Sequence, residues 1–228
     1  MEPLQGKVAL LTGASTPLAE AIAIVLASQG VKLCVSGPWA ERVDAVVAAV
    51  VGAGSEAVGV AGPLETLEQA EALVARAGEA FGAVHLVIWI TPFWNGGFIH
   101  DHAVPVWDRV LAGNLREPFL LARAVLPVLR RQASGQIVAV GSDSSLGAYA
   151  RDGAYNVALH GLNALMDLIR VENAEQGIRV HVLAPGLAQT QPLDSDGRPN
   201  LTTNDVADWV LWALTRPDHL RPIGPIVI

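Results

Sequence analysis

Short β-branched, apolar runs alternate along the chain with longer Ala/Leu-rich segments of helical period. The apolar runs predict strands at 8–11, 31–35, 57–61, 86–90, 136–140, 179–183 and 223–228. The segments between them predict helices at 18–29, 40–51, 66–80, 104–112, 117–132, 154–175 and 204–215, several closed by glycines such as Gly30, Gly82 and Gly177. Strand and helix in strict alternation imply βαβ units, a parallel sheet and helices on both of its faces. No linker, repeat or low-complexity block breaks the series, so residues 1–228 are expected to form one domain. The one long irregular stretch, "APGLAQTQPLDSDGRPN", follows the sixth strand. In a doubly wound sheet that is a ligand-binding end.

Composition narrows the classes of function. Hydrophobic residues make up 51% of the 228 positions and charged residues 16%, the mark of a core-rich globule. A formal net charge of -7 excludes the basic footprint that nucleic acid or an anionic membrane would require. The longest apolar runs, such as "VHLVIWI", are too short to span a bilayer, and Glu2 and Lys7 open no signal-peptide pattern; a cytoplasmic protein is expected. Cys34, the single cysteine, lies in an apolar run and reads as a buried strand residue. "HDH" at 100–102 offers metal-ligand chemistry without a distant third ligand, so no metal site is expected.

Chemistry-bearing residues recur at strand ends. Gly13 sits in "TGASTPLAEAIA" between the first strand and first helix, where a helix N-terminus presents free N–H groups to a phosphate. Asn114 follows in "AGNLREPFLLA", Ser142 in "GQIVAVGS", Tyr155 in "AYNVALHG", and Pro185 and Gly186 in "VLAPGLAQT". Tyr155 comes thirteen residues after Ser142. In order, spacing and context these motifs resemble the short-chain dehydrogenase/reductase family over essentially the whole chain.

The resemblance implies a three-layer, doubly wound Rossmann-type α/β fold with a parallel sheet of about seven strands. It implies an NAD(P)-dependent oxidoreductase of a small alcohol or carbonyl compound. Ser142 would polarise the carbonyl, Tyr155 would move the proton, and Asn114 would hold the helix and water geometry. Gly13, Ser15 and Leu18, with Pro185, Gly186 and Thr190, would contact NAD or NADP, and 189–200 would form a short substrate loop. Packing of the helices at 117–132 and 154–175 on symmetry mates would give a homodimer or homotetramer.

Several positions depart from the family pattern. The later glycines of the first loop are Pro17 and Ala19; Gly37, Pro38 and Trp39 stand where a ribose or phosphate selector is expected; and Gly62 and Pro63 replace the acidic residue near the adenine. Ile88, Trp89, Ile90 and Thr91 replace an Asn-Asn-Ala-Gly motif, and Leu159 replaces the lysine one helical turn after the tyrosine. His160, about 100° further round the helix, is poorly placed to substitute. Trp39, Trp89 and Trp94 are expected to fill or reshape the cleft. Two alternatives to the oxidoreductase therefore stand: a catalytically silent binding or interaction protein, and cofactor-free Ser-Tyr chemistry of the halohydrin-dehalogenase type. The latter uses an arginine where Leu159 stands.

Overall fold

The computed structural model describes residues 3–91, 93–186, 200–217, 220 and 222–228. Its strands are β1 (Val8–Leu11), β2 (Lys32–Gly37), β3 (Ala57–Ala61), β4 (Leu86–Ile90), β5 (Gly135–Val140), β6 (Ile178–Ala184) and β7 (Ile226–Val227). The helices are α1 (Pro17–Ser28), α2 (Ala40–Gly52), α3 (Leu67–Phe81), α4 (Val104–Leu111), α5 (Glu117–Gln132), α6 (Gly153–Asn173) and α7 (Thr203–Leu214). The seven strands form one sheet in the order β3-β2-β1-β4-β5-β6-β7, every pair parallel. This is the doubly wound α/β fold expected from the alternation of elements.

Local chemistry sets the element ends. Pro17 opens α1 behind Thr16, whose hydroxyl accepts from the Ala19 N–H at 3.2 Å. Thr66 and Gln69 close a capping box at the start of α3, and Gly82 ends that helix in the left-handed region. Thr202 and Asp205 repeat the box on α7.

Two differences from the expected elements have physical causes. β7 is shorter than 223–228 because Pro225 lacks a ladder N–H and Gly224 turns at φ 82°. The gap expected between the helices at 104–112 and 117–132 is instead a π-helical turn, Ala112–Arg116, which joins α4 to α5 without a break.

The central strands are buried on both faces, so their side chains feed two cores. Leu10, Trp89, Leu121 and Leu159 pack on the α3–α5–α6 side. Leu11, Ile22, Ile88 and Leu214 pack on the α1–α2–α7 side. Cys34 lies buried in the first core, where desolvation pushes its thiol up to about 11.

β1 is the strand at which the chain reverses its direction of growth, pairing with β2 on one side and β4 on the other. Gly13, just beyond it, has φ +76°, and a Cβ there would stand 3.1 Å from Ile90 Cβ and 3.3 Å from the Ile90 carbonyl oxygen. Gly13→Ala therefore combines backbone strain with a clash and is expected to cost about 1–3 kcal/mol, read as a lower melting temperature and an earlier urea midpoint.

Candidate functional site

A cleft of about 460 Å³ opens at the carboxyl ends of β1, β2, β3 and β4. Thr12, Gly13, Ser36, Gly37, Gly62 and Pro63 line one side, and Trp89, Phe93, Gly113 and Glu117 the other. Its position is the topological switch point, where open parallel sheets bind ligands. Of the three tryptophans expected to fill it, only Trp89 lines it, and that side chain is 2% exposed within the core. Trp39 and Trp94 are 56% and 69% exposed and line none of the cleft, so the expectation that they plug it is corrected. Large side chains at 88–90 are absorbed because a parallel strand buries both faces: Ile88 enters one core and Trp89 the other.

The loop between β1 and α1 leaves a specific set of donors. The Ala14 N–H is spent on Ser36 O, that of Thr16 on Gly13 O and that of Ala19 on Thr16, while Pro17 has none. The N–H groups of Gly13, Ser15 and Leu18 make no hydrogen bond among the described residues. They are the three residues of this loop that the family resemblance assigns to a cofactor, and they stand at the positive end of α1. Pro17 costs the helix no hydrogen bond, since the first helical N–H has no partner within the helix.

At the sixth strand the backbone serves the fold. The Pro185 carbonyl accepts from Asp143 N–H at 2.9 Å, and the Gly186 N–H donates to Ile228 O at 3.0 Å. Thr190 lies outside the described residues, as does the expected substrate loop except for Asn200.

The three expected catalytic residues converge unequally. Asn114 is fully buried in the π-helical turn, and its carboxamide clamps the backbone of Phe93, accepting from the N–H at 3.3 Å and donating to the carbonyl at 2.6 Å. The Phe93 ring lies over Gly113, where any Cβ would stand 2.3 Å from it. Asn114 thus fixes one wall of the cleft. Ser142 donates to Asp143 Oδ1 at 2.9 Å and accepts from Ser144 N–H at 3.2 Å, capping the 3-10 turn Asp143–Ser145.

Tyr155 is buried near the start of α6, and desolvation drives its phenol pKa above the ordinary value. The Thr91 and Ser142 hydroxyls oppose that rise by hydrogen bonding, while Asp152 and Asp143 add to it. No cation among the described residues contributes. Leu159, one turn on, is 0% exposed and belongs to the core cluster. His160 is exposed, its Nδ1 2.9 Å from the Asn156 carbonyl oxygen.

Other sequence candidates separate. His100 pairs with Asp101 at 3.2 Å on the surface, while His102 packs edge-on against Trp107. Among the described residues no group of three or more His, Cys, Asp or Glu is placed to hold a metal. Nor is any helix there long and apolar enough to cross a membrane.

Sequence reasoning missed Thr91 and Glu117. Thr91 stands where the family has glycine, so only its hydroxyl marks it. Glu117 begins the stripe Leu121, Val125, Leu129 at fourfold spacing, all buried, which places a carboxyl on the inward face of α5. Burial, reinforced by Glu65, pushes its pKa up to about 8.

A family model described as short chain dehydrogenase matches residues 7–199. The chain belongs to the short-chain dehydrogenase family. Within that family it is 35% identical to bovine dehydrogenase/reductase SDR family member 4 over 191 residues, covering 82% of this chain and 68% of the relative. An uncharacterized oxidoreductase of Staphylococcus saprophyticus is 29% identical over 227 residues, covering 97% of this chain and 96% of the other. Among solved structures, a metagenomic short-chain oxidoreductase in complex with NADP superposes with a TM-score of 0.85 at 29% identity, covering 100% of this chain and 98% of its own. Levodione reductase shares the fold with a TM-score of 0.90 at 24% identity, covering 99% and 96%.

The neutral phenol is favoured by the fold, so stability is full below the unfolded tyrosine pKa of about 10 and falls as pH rises through the higher folded value. The chain has two tyrosines, so Tyr149→Phe leaves Tyr155 as the only one. Ultraviolet difference titration of that variant should give a midpoint above about 10; a midpoint below it would reveal a cation at the site.

Proposed function

We propose that this short-chain dehydrogenase family member binds a dinucleotide of the NAD type in its cleft but does not run the family's hydride-coupled proton transfer. The observation that carries this reading is Leu159, fully buried where the family places a lysine. With no cation among the described residues beside it and two aspartates nearby, Tyr155 is less ionised than the roughly one in a thousand of a free tyrosine at pH 7. An apolar neighbour offers no means of lowering that pKa.

Binding is supported separately. The free N–H groups of Gly13, Ser15 and Leu18 suit a pyrophosphate, and the 460 Å³ cleft beside them lies within the usual range for ligand pockets of about 300–1,000 Å³. The fit extends to two orphaned polar atoms: Thr12 Oγ1 and Trp89 Nε1 are buried without partners among the described residues, and both residues line the cleft. A bound nicotinamide would supply hydride chemistry. The chain's own contribution would be to hold the phosphates at α1 and the base between the β3 loop and α5.

A second reading, a slow NAD(P)-dependent oxidoreductase of a small alcohol or carbonyl compound, draws support from the Thr91 and Ser142 hydroxyls acting on Tyr155. A homodimer or homotetramer is supported by exposed Phe119 on α5 and by exposed Leu168 and Val171 on α6.

Titrating NADH and NADPH against the protein's melting temperature, together with a turnover screen over alcohols and carbonyl compounds, separates the readings. The expected result is a rise in melting temperature without steady turnover. Turnover that disappears in Tyr155→Phe would establish the oxidoreductase instead, and the absence of any shift at millimolar nucleotide would remove both.

A further inference from the structure

We infer that Glu117 reads the base of an adenine nucleotide in this cleft, supplying from α5 the carboxyl group that Gly62 and Pro63 do not provide at the end of β3. The inference rests on the reading of the cleft as a nucleotide site and names the group that recognises the base.

Glu117 lines the cleft together with the β3 loop residues Gly62, Pro63 and Leu64. Its side chain makes no hydrogen bond or ion pair among the described residues, although it is partly buried at the head of the inward stripe of α5. An unpartnered carboxyl in a largely apolar cleft is a cost to the fold unless a ligand answers it. Thr12 and Trp89 also line the cleft, and each is more than nine-tenths buried and carries a polar atom with no partner among the described residues. The cleft therefore offers a carboxyl to whatever enters it.

Adenine answers that carboxyl. Its ring nitrogens accept hydrogen bonds, and its amino group donates one beside an accepting nitrogen. A neutral carboxylic acid presents the complementary pair, one O–H donor next to one carbonyl acceptor. Glu117 is held in that neutral form at pH 7, with its pKa near 8. The charged groups sharing the cleft with it are Glu65 from the loop before α3 and Asp108 and Arg109 from α4; the Arg116 guanidinium is turned to the Glu65 carbonyl. Glu65 acts to keep Glu117 protonated. Once Glu117 ionises it loses the O–H donor, so binding of the base should weaken as pH rises through about 8.

Calorimetric titration of the intact chain with ADP-ribose, from about pH 6 to about pH 9.5, tests this. The expected affinity is constant below the Glu117 pKa and falls by about tenfold for each pH unit above it. Glu117→Gln keeps a donor and an acceptor side by side, so it should retain binding and lose the pH dependence. Glu117→Ala should weaken ADP-ribose at least tenfold while leaving nicotinamide mononucleotide, which has no adenine, unaffected. A pH-independent affinity in the unmodified chain, or an Ala variant that binds ADP-ribose as well as the original, would overturn the role of Glu117 and leave the nucleotide site standing. No ADP-ribose binding at any pH would overturn both.

Discussion

β1 is hydrogen-bonded on both sides by parallel strands that the chain reaches in opposite directions, and the rest of the molecule follows from that arrangement. The crossover through α1 goes one way to β2; the later passage to β4 lies on the other side. Helices must then leave the carboxyl ends of β1 and β4 on opposite faces, and a gap opens between them. Gly13 is the hinge of this geometry, pressed against Ile90 at a φ that other residues adopt only with strain. The cleft is a product of topology, independent of any residue that would act in it.

That independence explains how the two ends of the site differ so widely. At α1 the backbone supplies the donors, and backbone donors survive changes of side chain. Pro17 and Ala19 could replace glycines there because the N–H groups of Gly13, Ser15 and Leu18 stayed unspent. At α6 the family's proton chemistry would depend on side chains in register, and here Leu159 stands at the lysine position while burial and two aspartates work against the phenol. Asn114 persists for a different reason. Its carboxamide satisfies both polar groups of the Phe93 backbone, so it is tied to the fold whatever becomes of catalysis.

Much of this was legible in the sequence, because apolar runs of four to seven residues separated by helical periods have few other ways to bury themselves. β1, β3 and β4 begin and end where their side chains predict. The spacing of Ser142 and Tyr155, too, carried real information about which strand end faces which helix. What escaped was set by neighbours distant in sequence. The π-helical turn answers to Phe93, twenty-one residues away from Asn114, and Trp39 and Trp94 turned outward although their positions near the cleft suggested otherwise. Ser142 was recognisable as a site residue, yet its commitment to Asp143 and Ser144 depends on a turn whose geometry no periodicity reveals. Glu117 was readable in principle from its fourfold spacing, but a single charged residue at a helix start is ordinarily assigned to the dipole.

Leu159 also bears on which side chains its position can admit. It is wholly enclosed, and its Cδ2 lies within van der Waals range of any Cβ placed at Gly141. A lysine placed at that position would have to desolvate its ammonium before it could serve the tyrosine, and the core would have to give up packed leucine atoms to admit it. The leucine is part of the protein's packed core, so a cation at this position would be admitted only at a cost in stability.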